Sequence, residues 1–140
     1  MSVLQSIQNA IVDELSQLTL FNQVSIHAAV NEKQPAKKKS FTTVEIMPPL
    51  PISASKNAAN VLFNEVAVEI KITSQKYTAK HSDGILDICE YICKALHNKR
   101  IKPHCQNWKI LIGAQKPITY HSESNTHSIT IKFFIQSVKL

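Results

Sequence analysis

Between Val61 and Asn98 the chain changes its hydrophobic period once. Leu62, Asn64, Val66, Val68, Ile70 and Ile72 take the even positions, and Glu65, Ala67, Glu69, Lys71 and Thr73 the odd ones. A period of two predicts a long strand with one buried and one wet face. After the polar link from Ser74 to Ser82, Ile85, Ile88, Cys89, Ile92 and Leu96 fall at the spacing that lines one helix face. Ser82 or Asp83 is placed to cap that helix. Lys94, His97, Lys99 and Arg100 gather at its end, where cations suit the helix dipole.

The flanking segments complete this strand-helix unit. Ser2 and Gln5 have the spacing of a capping box, and Leu4, Ile7, Ile11, Leu15 and Leu18 form an apolar stripe, so residues 3 to 18 read as a helix. Phe21 to Val30 reads as a strand with Val24, Ile26 and Ala28 on one face. A polar connection follows at about 31–40, and a second strand runs from Phe41 to Met47. Pro48, Pro49 and Pro51 then argue for a second extended loop at about 48–60, because proline cannot donate to a strand ladder. Pro103 closes the helical region. Gln106 to Ile112 reads as a strand and Gly113 to Asn125 as a turn-rich segment. The last strand, Thr126 to Val138, sets Ile129, Ile131, Phe133 and Ile135 against Thr130, Lys132 and Gln136. The order α-β-β-β-α-β-β predicts a single α+β domain over residues 1–140. It is a mainly antiparallel β-sheet with two helices packed on one face.

A chain of 140 residues can bury a real core without staples. No run approaches the roughly 18 apolar residues of a membrane helix. The opening stretch lacks the basic start and apolar block of a secretory leader, and three cysteines without framework spacing point to reduced thiols. Only two glycines are present, so neither the dinucleotide nor the P-loop fingerprint can be written. The net charge of +6 raises nucleic acid or an acidic neighbour as partners. Its one tight cluster is Lys37, Lys38 and Lys39, which also reads as a solvated loop.

Candidate chemistry is thin. Cys89 and Cys93, four apart on the helix, have a spacing that places two thiolates on one metal. Cys89 also belongs to the apolar stripe, where cysteine packs as a small hydrophobe, and that reading is preferred. Pro103-His104-Cys105 and His121-Ser122-Glu123 are fragments of the zinc deaminase signature, without its cysteine pair or its order. No nucleophile turn supports a catalytic triad. The expectation is a protein that is not an enzyme and holds no metal or cofactor.

Helix Ser2 to Leu18, a strand ending Ile70-Lys-Ile-Thr-Ser74, a short link, a helix ending Ile92-Cys-Lys-Ala-Leu96 and the closing strand Ile129 to Ile135 form a recognisable order. In it the chain resembles the tail-terminator (tail-completion) family of long-tailed bacteriophages. The resemblance spans nearly the whole chain and lies in arrangement, since the family has no invariant catalytic motif. Pro48 to Asn60 matches no family motif, and the basic balance departs from the acidic lining common in tail tubes. The resemblance implies a structural virion protein of the tail or neck, assembled in the host cytoplasm. It would form a hexameric ring that caps the tail tube, ends its polymerisation and offers a docking surface to the head or neck. Its implied partners are further copies of itself, the tail-tube protein and a neck or head-tail connector protein, with DNA passing through the lumen and no membrane. The two extended loops are the candidate contact segments, with Lys37, Lys38, Lys39, Pro48, Pro49, Pro51 and Lys56 as candidate residues. Two alternatives stand beside this one. The first is another ring-forming component, such as a tail-tube or head-tail joining protein. The second is a basic nucleic-acid-binding module, which the scarcity of aromatic residues disfavours.

Overall fold

The computed structural model describes residues 3–17, 24–28, 42–54, 63–74, 85–102, 108–115, 118–122 and 125–137. The elements begin with α1 (Val3–Ser16), β1 (Val24–Ala28), β2 (Thr42–Ile46), β3 (Leu50–Ala54) and β4 (Phe63–Ser74). They continue with α2 (Ile85–Leu96), β5 (Arg100–Ile101), β6 (Trp108–Gln115), β7 (Thr119–His121) and β8 (Thr126–Ser137).

The two longest strands form the middle of one sheet. β4 and β8 pair antiparallel without interruption from Glu65↔Gln136 to Ser74↔His127. Their alternations are in phase, so Val66↔Ile135, Val68↔Phe133, Ile70↔Ile131 and Ile72↔Ile129 all fall on one face. These eight side chains are buried, as are Val44 and Ile46 of β2 and Trp108 and Ile110 of β6. Burying each large one from water stabilises the fold by about 1.5–3 kcal/mol. The sheet order is β1-β2-β4-β8-β6-β5, with β3 added on β4 and β7 on β8. It is antiparallel except for the β1–β2 pair, which is parallel.

Both helices cover the apolar face. α1 lies over β1 and β2, and α2 over β4, β6 and β8. Of the predicted stripes, Ile7, Ile11 and Leu15 in α1 and Ile85, Ile88, Cys89, Ile92 and Leu96 in α2 are buried, Leu4 is half-buried, and Leu18 lies outside the described residues. Gln8 is buried beside the α1 stripe because its Nε2 donates to the Ile46 carbonyl at 2.7 Å, fixing α1 to the end of β2. Asn98, in the left-handed region at φ 65°, ends α2. Its N–H donates to the Ile110 carbonyl at 2.8 Å, which turns the chain back toward the sheet edge. The Ile112 N–H donates to Nδ1 of His97 at 3.2 Å, and Lys99 reaches Glu14 of α1 at 3.4 Å.

Three short strands, β3, β5 and β7, supplement the predicted order. The expected loop at 48–60 is corrected over its first part, because Leu50–Ala54 is strand paired to β4. Proline is tolerated there because β3 is an edge strand, and the pairing is irregular on both sides of Ser53. The segment expected as turns from Gly113 onward is also partly strand. β6 runs on to Gln115, and β7 pairs with β8.

β2 and β3 therefore run end to end along β4, and β6 and β7 end to end along β8. The first of these outer paths is broken at Met47–Pro49, between β2 and β3. Inside β6 the register also slips between Ile112 and Gln115. Gly113 sits in that slip, and a Cβ there would lie 2.5 Å from the Phe134 ring and 2.7 Å from the Lys132 carbonyl oxygen. A backbone oxygen cannot swing away as a side chain can. Gly113→Ala is expected to lower stability by about 1–3 kcal/mol in urea denaturation. Ile131→Ala in the core is expected to lower it by about 2–5 kcal/mol.

Candidate assembly surface

The sheet face opposite the helices carries no further layer among the described residues, and its side chains form rows that follow from the strand registers. One row is polar: Arg100 of β5, Lys109 of β6, Gln136 of β8 and Glu65 of β4 are successive cross-strand partners. Gln136 Nε2 donates to Glu65 Oε2 at 2.7 Å. Another joins Lys132 to Glu69, and a third joins Thr130, Lys71, Glu45 and His27. In that third row His27 Nε2 lies 3.9 Å from Glu45.

Between the first two rows lies one that is wholly apolar. Leu50 pairs with Ala67, Ala67 with Phe134 and Phe134 with Leu111. Leu50 reaches this face through the break at Met47–Pro49. Ile46 pairs with Ile70 and Leu50 with Ala67, so three residues of the outer path face two of β4. One extra residue inverts the alternation, and Leu50 points away from the helices. It is 64% exposed, and its neighbour on the same edge, Ile52, is 47% exposed. Phe134 and Leu111 are half-buried, Ala67 is covered, and the Lys132 ammonium lies 5.6 Å from the centre of the Phe134 ring. An apolar row ending in an exposed edge strand is a surface suited to another protein.

Charge divides the same face. Arg100, Lys109 and Lys132 stand on β5, β6 and β8, whereas Glu45, Glu65 and Glu69 stand on β2 and β4, where Lys71, the cross-strand partner of Glu45, is a base among them. Arg100 and Lys109 are direct cross-strand partners of like charge, an arrangement that costs stability.

The residues singled out from sequence fare unequally. Lys37, Lys38, Lys39 and Lys56 lie outside the described residues, as does Pro103-His104-Cys105. Pro48 is half-buried and Pro49 buried, and together they occupy the joint between β2 and β3. Pro51 is exposed on β3 itself. The apolar row was missed, yet its signal was present: Ala67 and Phe134 are apolar residues in the polar phase of their strands. His121 Nε2 shares a 2.8 Å hydrogen bond with Ser128 Oγ, and its sequence neighbour Glu123 is outside the described residues. Among the described residues no three His, Cys, Asp or Glu side chains gather as metal ligands.

Cys89 faces the core. A hydrogen bond with Cys93, together with burial, pushes its thiol far above the ordinary range. The folded protein therefore keeps a proton that the unfolded chain releases above roughly pH 8.5. Stability from this group is intact below that pH and declines as pH rises above it, by up to about 1.4 kcal/mol per unit. Urea midpoints measured from pH 7 to 10 are expected to fall more steeply for the wild type than for Cys89→Ala.

Comparison with known proteins finds no matching family model and no matching curated protein. Among solved structures, a chain of the virion of a native gene transfer agent particle has a similar fold. Its TM-score is 0.68 at 12% identity, over 97% of both chains. A second solved protein, whose name states no function, is similar with a TM-score of 0.60 at 9% identity, over 97% of this chain and 93% of that one. At these identities the likeness is one of fold.

Proposed function

We propose that this chain is a structural protein of a phage-like virion. In that role it forms a six-membered ring that caps the tail tube, stops its polymerisation and presents a surface to the neck or head. The observation that carries this reading is the end-to-end likeness to a chain of a gene transfer agent virion, which leaves almost no part of either chain unmatched. The element order supports the finer assignment to a terminator. The surface supports assembly: a ring needs head-to-tail contacts between unlike patches that close after a fixed rotation. This chain offers an apolar row on a face with acid on one side and base on the other. The work of such a protein is contact and shape, with no bond made or broken, and its place is the virion tail or neck after assembly in the host cytoplasm. Lys37, Lys38, Lys39 and Lys56 remain candidate contacts to a neighbouring subunit, the tube or DNA in the lumen.

A second reading places the chain elsewhere in the same particle, as a tail-tube or head-tail joining protein. The gene transfer agent neighbour supports it equally, since the likeness is to a virion chain at an unstated position. A nucleic-acid module draws support only from the basic balance and the Arg100–Lys109 pair.

Native mass measurement and negative-stain imaging, alone and with tail tubes of the same element, separate these readings. The expected result is six-fold rings, or single caps at tube ends with growth arrested. Unlimited tubes from this chain alone would reassign it to the tube. A monomer that ignores tubes yet binds DNA, with affinity falling steeply as salt rises, would sink both virion readings.

A further inference from the structure

We propose that copies of this chain join edge to edge, with β3 of one copy set against β5 of the next, so that the sheet continues from subunit to subunit. This rests on the ring reading and names its interface. The two edges stand at opposite ends of the same rows. Leu50 ends the apolar row on β3. At the other end the turn after α2 covers the outer side of β6 around Leu111, where Asn98 and Lys99 bond Ile110 and His97 accepts from the Ile112 N–H. The open edge there is therefore β5. Among the described residues β3 has a strand partner on one side only, β4, and β5 likewise has only β6. Backbone groups on an open edge are a template for another chain.

Side-chain chemistry selects the occupant. Leu50 and Ile52 are among the exposed large apolar side chains, and both project from β3. The acidic part of the face adjoins that edge through Glu65 and Glu69 of β4, whereas Glu45 lies farther along on β2 with Lys71 as its cross-strand partner. At the opposite edge Arg100, Lys102 and Lys109 are basic, and none has an ion-pair partner among the described residues. A second copy presented in the same orientation brings this basic edge toward the acidic half, within the reach of charge interactions at physiological salt. It also relieves the like-charge Arg100–Lys109 pairing. Two copies related by a two-fold axis would instead meet acid to acid or base to base. The edge contact is therefore heterologous, the kind that closes rings.

Cysteine cross-linking tests this directly. Ile52→Cys and Arg100→Cys are combined in one chain, and each is also made alone. Both positions are exposed, so folding, checked by circular dichroism, is expected to be unchanged. Under oxidation the double variant is expected to give a ladder of covalent oligomers that ends at the ring size, and each single variant is not. A Leu50→Glu variant is expected to weaken assembly roughly tenfold or more by native mass. Covalent dimers from Ile52→Cys alone would show a symmetric contact and overturn the proposal. Rings that form normally in Leu50→Glu, with no ladder in the double variant, would overturn the edge assignment and leave the ring reading intact. Wild-type protein that forms no ring, alone or on tubes, would remove both.

Discussion

Uninterrupted antiparallel pairing from Glu65 to Ser74 of β4 against β8 is the constraint on which the rest of the structure depends. It locks the alternations of two strands in phase, so a slip of one residue would turn the apolar set of one strand, Ile70 and Ile72 or else Ile131 and Phe133, to the opposite face. With the register held, the apolar side of the pair becomes the floor on which both helices rest. The other side becomes a face free of helices. Each long strand also supplies an edge that one interrupted path follows: β2 and β3 beside β4, β6 and β7 beside β8. The break between β2 and β3 brings Leu50 onto the helix-free face, and the register slip inside β6 lets Gly113 pass close to Phe134.

The parts of this fold dictated by local pattern were legible before any coordinates. The alternations of β4 and β8 and the stripes of both helices name the buried residues, and the helix ends fall close to where the stripes stop. What escaped was set by partners distant in sequence. Nothing local says that the residues after Met47 resume pairing with β4, since three prolines argue otherwise. The strand exists because an exposed edge needs no donor from Pro51. The inversion that exposes Leu50 depends on counting residues across two strands at once. Phe134 lay in plain view as an apolar residue out of phase, but its meaning required Leu111, Ala67 and Leu50 to be placed beside it. The lysine cluster and Lys56, candidates by charge, lie outside the described residues and rest on sequence alone.

The proposed role follows from how this architecture distributes its surfaces. In that role assembly would fall to the face opposite the helices and to the open edges, because α1 and α2 pack on the apolar face. There the chain combines an apolar row with charges of opposite sign on its two halves. Such an arrangement favours one orientation between neighbours and penalises the reverse, which is how unlike patches give a closed ring in place of a random aggregate. The same features expose an edge strand to unwanted pairing, and the prolines and irregular register of β3 limit it.

Amide hydrogen exchange, compared between the free chain and the chain assembled on tail tubes, tests most directly whether the helix-free side is the assembly side. Slower exchange on assembly is expected at the backbone amides of β3 and β5, with α1 and α2 unchanged. Protection concentrated on the outer surfaces of α1 and α2, with β3 exchanging as fast as in the free chain, would contradict it.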